Sequence, residues 1–424
     1  SRQPYMARRV RVTFEAENIS AVGYKTYALV EGDAEKVTDT LVSGENCMEN
    51  DAIRVEINKN GSLNVTDKAS GRTYKGVAYY EETGDLGNEY MYKMPEGSKA
   101  ITTQDTVAKI ELAEDEPYRA MYKITNTITV PKSGDDNFED EKRHMVFFKE
   151  RVGGRSNDTV EMKIETFVSL DKNGKGVKIK TRFDNEVKDH RVRIMVPTGI
   201  NSDVHKADSV FEVVTRNNRH NAGWNNPSGC EHEQGFVSID DGEKGIAVAN
   251  IGLYEYEMLP DLDNTIAVTI LRAVGEMGDW GVLPTPKAQC LDISEPEIEI
   301  VPFKGDLISS GAYEECYQFK TDIITAATDC HNGAMPLDYS MINWQGDGLT
   351  LTGIKQKGNG EDIILRWVNV SDKPTTLTIQ KSDVIDNLYI SNIIEKKIKE
   401  IDSDNGYFNI EAKTYEIMTV GIAK

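Results

Sequence analysis

Apolar residues in this chain recur mostly at every second position, in short runs parted by Gly, Asn, Asp and Pro, a rhythm that predicts strands. Ile53-Arg54-Val55-Glu56-Ile57 alternates apolar with charged. Asn60-Gly61 follows, the strongest short hairpin signal, and Leu63-Asn64-Val65 alternates back. Asp67 to Gly71 supplies the next turn. Strand-like segments then recur at 106–113, 119–130, 142–150, 159–169, 176–184 and 191–196, parted by charged turns at 131–136 and 171–174. Successive side chains of a strand point to opposite faces, so such segments build antiparallel sheets with one face in a core.

The stretch 266–271 breaks the alternation with an unbroken apolar run, the composition of a strand buried on both faces. A loop rich in Gly, Asp, Trp and Pro follows, and 295–300 alternates again, which predicts a half-buried strand. Alternation over 10–30 predicts two strands around an Asn18-Ile19-Ser20 turn, and the acidic 31–44 reads as a linker. The pattern at 309–322 fits a short helix or a crossing segment equally. Runs at 349–354, 363–370, 375–379, 407–410 and 415–422 predict the strands of a smaller unit. The expected class is all-β, with a large antiparallel sandwich at 45–303. Strands of a small N-terminal sandwich piece and a linker occupy 1–44, and a smaller sandwich 304–424. No repeat period and no strand–helix alternation of a parallel sheet is present.

Composition narrows the partners. The 424 residues carry 49 basic and 70 acidic side chains, a net charge of −21. That balance opposes binding to nucleic acid or to an anionic membrane. No apolar run approaches the roughly 20 residues that span a bilayer, so no membrane partner is expected. The five cysteines form no CxxC pair, and reduced thiols in a cytoplasmic setting are the expectation.

Candidate chemistry is sparse. Carboxylates abound, and sequence spacing cannot place two of them across a sugar. His190, His220, His232 and His331 are scattered, and Cys230-Glu231-His232 is the nearest approach to a metal cluster. On a strand those three would alternate faces, so at most two could share an ion. Two stretches fit sugar recognition better. Gly84 to Tyr92 is an acidic-aromatic loop punctuated by glycine, in which Asp85, Tyr90 and Tyr92 offer carboxylate and ring. Tyr90 and Tyr92 could equally be core residues on one strand face. Arg216 to Trp224 is dense in hydrogen-bond donors and includes Arg219, although a polar surface loop would read the same. Asp189-His190-Arg191-Val192-Arg193 opens a strand and reads as a buried ion-pair network.

Taken in order, several of these segments resemble the C-terminal β-region of glycoside hydrolase family 38 α-mannosidases, the bacterial type above all. They are 49–57, Asn60 to Leu63, Asp67-Lys68, Gly71 to Tyr74, Gly84 to Tyr92, Asp189 to Arg193 and 211–216. Leu271 to Gly275, 284–290, Leu351 to Lys355, 366–369 and 415–419 continue the likeness over nearly the whole chain. The resemblance implies a supersandwich of the galactose-mutarotase kind. It also implies a parent enzyme that hydrolyses terminal α-mannosides with retention, using zinc held by an N-terminal domain. Nothing here resembles that domain, so the chain is expected to be the inactive C-terminal portion, with no catalytic residue, metal ligand or cofactor of its own. Its partners would be α-mannoside sugars and the missing catalytic domain, and a homo-oligomer stays open. The resemblance gives the β-region a tyrosine and an arginine in the substrate wall. By motif position these are Tyr90 and Arg216, with Arg219 the competitor and Asp85 shaping the same wall.

Other readings compete. A stand-alone carbohydrate-binding module would grip sugar through Tyr90, Tyr92 and Trp224. A mutarotase-like epimerase would need His190 or His220 opposite a glutamate. A pure scaffold would expose a large apolar patch where its partner domain packs.

Overall fold

The computed structural model describes residues 11–32, 38–219, 229–278 and 283–424. Among the described residues the architecture is all-β apart from two short helices and three 3₁₀ turns. The strongest alternations became the longest strands. Arg119–Pro131 pairs with Thr159–Asp171 through thirteen residue pairs, and every second residue from Ala120 to Val130 is buried. In space, one sheet runs Glu212–Asn217, Val204–Ser209, Phe236–Asp240, Lys244–Asn250, Glu297–Lys304, Val177–Asp184, Thr159–Asp171, Arg119–Pro131, Lys109–Glu116. A second runs Glu231–His232, Glu255–Met258, Ile266–Ala273, His190–Val196, Tyr79–Gly84, Ile101–Thr102. A five-stranded meander from Val42–Gly44 to Arg72–Val77 adjoins them. All neighbouring strands pair antiparallel, and Val55, Val65, Ile164, Ile179, Val192, Val248, Val268 and Ile300 from these sheets share one core. Within that core, Ile266–Ala273 and His190–Val196 are central strands covered on both faces, as the unbroken apolar run at 266–271 required.

A second core, built around Trp367, Leu377, Phe408 and Val420, lies between a three-stranded and a five-stranded sheet of the C-terminal part. Helix α2 (Ala312–Phe319) resolves the ambiguity at 309–322. It seats Ala312, Tyr313 and Cys316 against Phe236, Ala249 and Phe303 of the large sheet and, with Val368 and Val370 of the C-terminal part, closes a third cluster.

Three local expectations need correction. Residues 142–150 are not a strand: the end of helix α1 (Asp136–Arg143) takes in the first two and a 3₁₀ turn (Phe148–Glu150) ends them. The reason is capping, because the Asp135 side chain accepts the Phe138 N–H and the first turn is acidic while the last is basic. In 11–32 a single short strand forms, Gly23–Lys25, which pairs with Asp338–Ser340; 11–22 finds no partner strand. The strand at 297–304 is buried on both faces instead of one, since α2 covers the side that carries Glu299, Val301 and Phe303.

Candidate functional site

A cleft of about 1100 Å³ opens at the edge of the six-stranded sheet. Its floor is Thr269, Ile270, Leu271 and Arg272 on the central strand, and its walls are the 85–93 loop, Arg216 with Glu231 and His232, and the 252–255 turn.

The 85–93 loop is pinned from within and from below. Asp85 is buried, and its Oδ1 accepts the backbone N–H of Gly87 at 2.8 Å and of Lys93 at 3.1 Å. Its Oδ2 accepts Nε–H of Arg272 at 2.8 Å. The remaining Arg272 nitrogens donate to the carbonyls of Asn88 at 2.6 Å and Glu89 at 3.2 Å. Buried Arg151 donates to the carbonyls of Leu86 at 2.9 Å and Gly87 at 3.1 Å and pairs with Glu276. A side chain at Gly87 would place its Cβ 1.8 Å from the Met91 carbonyl oxygen, so this turn demands glycine. Asn88 Oδ1 then accepts the N–H groups of Tyr90 and Met91, both at 2.9 Å. What the rigid loop presents to the cleft is Tyr90, 61% exposed. Burial pushes the Asp85 carboxyl above its usual range, and Arg272 and the two backbone donors only partly pull it back.

Tyr92 does not share a strand face with Tyr90, because the loop has no strand there. Its hydroxyl donates to Thr83 Oγ1 at 3.0 Å and the Arg191 guanidinium lies 3.5 Å from its ring centroid. Arg191 also donates to Cys230 Sγ at 3.2 Å. On the floor, Thr269 Oγ1 donates to Glu255 at 2.8 Å, and Tyr254 beside it is 63% exposed.

Across the cleft, Arg216 comes from strand Glu212–Asn217. Its NH1 donates to the His232 carbonyl at 2.6 Å and to the Tyr256 hydroxyl at 2.8 Å, and its Nε lies 3.0 Å from Glu231 Oε2. Arg219 lines the same cleft and is exposed. Thus the fold brings Tyr90, Arg216 and Arg219 to one cavity, whereas Asp85 reaches it only through Arg272. Trp224 and His220 lie outside the described residues. His190 is fully buried, held by Glu82 at 3.2 Å and Asn185 at 3.0 Å, so it faces no substrate. The Asp189–Arg193 segment is indeed an ion-pair network, with Arg193 bridging Glu81 and Glu257 at 2.5 Å each.

Sequence reasoning passed over Arg272, Glu255 and Tyr254. Arg272 alone carried a signal: a guanidinium closing an apolar strand must find a buried partner or lose its hydration uncompensated. As a whole the cleft offers ring faces beside carboxylates and guanidinium groups, which suits a ligand with apolar C–H faces and many hydroxyls. Among the described residues no three His, Cys, Asp or Glu side chains converge as a metal site. Cys230, Glu231 and His232 line the wall of the cleft.

Fold and cleft together define a multi-sandwich β-region with one open cleft lined by aromatic and charged side chains. Residues 48–279 match the family described as glycosyl hydrolases family 38 C-terminal domain. Residues 348–420 match the C-terminal beta sandwich domain of that family, and residues 1–31 its C-terminal domain 1. The chain belongs to glycosyl hydrolase family 38 and makes up its C-terminal β-region. It is 35% identical, over 99% of its length, to a protein of Halalkalibacterium halodurans that carries mannosylglycerate hydrolase as a provisional name. Among solved structures, an alpha-mannosidase from Enterococcus faecalis V583 superposes over 95% of the chain at 31% identity, with a TM-score of 0.89. A second Enterococcus faecalis protein of the family does so at 31% identity, also over 95%, with a TM-score of 0.86. The chain spans about half the length of these relatives, covering 46%, 45% and 47% of them in turn.

Proposed function

We propose that this chain is the non-catalytic half of a retaining, zinc-dependent α-mannoside hydrolase and supplies one wall of its substrate site. Tyr90, Arg216 and Arg219 contact the sugar, and Asp85 sets the wall through Arg272. The observation that carries this reading is convergence: residues far apart in the chain line one open cleft on a rigid scaffold, in a family named for glycoside hydrolysis. The reacting carboxylates and the metal belong to polypeptide outside this chain. The wall's part is to orient the sugar and displace water, which contributes through positioning. The five cysteines form no disulfide among the described residues, which fits a reducing, cytoplasmic setting.

The experiment is hydrolysis of 4-nitrophenyl α-mannoside with added zinc, by this chain and by a form extended to the length of its relatives. Activity in the extended form alone is the expected result, and turnover by the chain itself would overturn the reading. A second reading comes from the name of the 35%-identical relative, a mannoside whose other half is glycerate. The exposed guanidinium of Arg219 favours it, since arginine pairs with a carboxylate in two-point fashion. Competition of α-mannosylglycerate against the nitrophenyl substrate, with and without Arg219→Ala, separates the two.

A further inference from the structure

Arg216 is held with unusual completeness for a residue that lines an open cleft. Both N–H groups of NH1 are used, one on the His232 carbonyl at 2.6 Å and one on the Tyr256 hydroxyl at 2.8 Å. Nε faces Glu231 Oε2 at 3.0 Å. NH2 keeps only a 3.5 Å approach to His232 Nε2. The guanidinium is therefore clamped along one side, and the NH2 edge is left to meet a ligand.

Behind the clamp, Tyr256 is fully buried on strand Glu255–Met258, and its hydroxyl meets His205 Nε2 at 2.7 Å. Asn218 donates its Nδ2 to the Ser202 carbonyl at 2.7 Å, so its Oδ1 must accept, and His205 Nδ1, 2.9 Å away, carries the proton. On the other side of the ring, His205 Nε2 shares its hydrogen bond with the Tyr256 hydroxyl. The hydroxyl has one proton. It is donated to Glu231 Oε2 at 3.2 Å, while the oxygen accepts from Arg216 NH1 at 2.8 Å and meets His205 Nε2 at 2.7 Å. Burial raises the Tyr256 phenol far above its usual range, so the hydroxyl keeps its proton. The edge-on packing of the His205 and Tyr256 rings, centroids 5.5 Å apart, fixes both.

We propose that Tyr256, its hydroxyl held between His205 and Glu231, is the positioning residue that fixes Arg216 with its NH2 edge toward the substrate. This rests on Arg216 belonging to the substrate wall. Ser202, Asn218, His205 and Tyr256 form one relay of hydrogen bonds ending at a single guanidinium, with no ligand contact assigned to any of the four.

The test uses the extended, active enzyme with 4-nitrophenyl α-mannoside and a double-mutant cycle of Tyr256→Phe and Arg216→Ala. Tyr256→Phe keeps the ring and removes only the hydroxyl. It should raise KM about three- to tenfold with kcat within about twofold, and add less than about twofold in the Arg216→Ala background. His205→Gln, which keeps the backbone pairing of His205 with Arg216 and changes only the side chain behind Tyr256, should reproduce the KM effect more weakly and provides the arm should Tyr256→Phe not fold. If Arg216→Ala raises KM and neither Tyr256→Phe nor His205→Gln does, this proposal fails and the wall stands. The same is concluded if the effects of Tyr256→Phe and Arg216→Ala simply multiply. KM unchanged in Arg216→Ala would remove Arg216 from the wall and this proposal with it.

Discussion

Arg272 donates its Nε–H to the buried carboxylate of Asp85 at 2.8 Å, across 187 positions of sequence. That bond ties the floor strand of the cleft to the loop that carries Tyr90. Removing the guanidinium leaves a carboxylate in the interior with only backbone donors. Arg272→Ala should cost about 3 kcal/mol of stability, in line with breaking one partner out of a buried pair. The midpoint of urea unfolding reads this, and a loss below about 1 kcal/mol would show that the backbone N–H groups suffice for Asp85.

Tyr90 behaves differently because most of its side chain is in solvent. Tyr90→Ala should leave stability within about 0.5 kcal/mol of the parent. In the extended enzyme the same change should raise KM for an α-mannoside several-fold. A drop in stability without a change in KM would make Tyr90 a packing residue.

Glu299 gives the fold a pH dependence. Burial beneath α2, with Glu315 and Asp171 nearby, pushes its carboxyl up to about 8, and Lys178 offsets only part of that. Its Oε1 has no hydrogen-bond partner among the described residues. The folded-state pKa lies above the ordinary 4.5, so the neutral form is the one the fold accepts. Its stabilising contribution is complete below about 4.5 and is lost as pH rises through about 8, by a few kcal/mol at most. Glu299→Gln keeps the shape without the charge. Comparing denaturation midpoints at pH 5 and pH 9 should show the parent falling relative to Glu299→Gln, and parallel curves would reassign the buried charge.

Gly421 lies under Tyr389 in the C-terminal sheet. A Cβ there would approach the ring to 2.1 Å, and the Tyr389 hydroxyl is anchored on Asp362 at 2.7 Å, so the ring cannot readily yield. Gly421→Ala should lose about 1–3 kcal/mol through overpacking. Pairing it with Tyr389→Leu should recover part of the loss, and strict additivity of the two would argue against a steric cause.

Legibility in the sequence followed the range of the forces involved. The hairpin around Asn60-Gly61 and the long pair Arg119–Pro131 with Thr159–Asp171 were readable because alternation and turn chemistry are local. Helix α1 was missed because the apolar run Met145 to Phe148 reads as strand. The structure instead leaves Met145 and Phe147 exposed and ends the segment in a 3₁₀ turn. The Asp135 cap was the signal that could have corrected it.

The sequence by itself determined the all-β class, the central buried strand at 266–273 and, through its resemblance, the family, because period-two patterning and motif order are properties of consecutive residues. Only the tertiary structure decided that Asp85 lies beneath the wall while Tyr90, Arg216 and Arg219 line one cleft. It also decided that His190 is sealed in the core and that α2 turns Glu299 into a buried acid. Each of these depends on which distant element covers a given face, and a strand's own residues specify that it has two faces without specifying what packs on either.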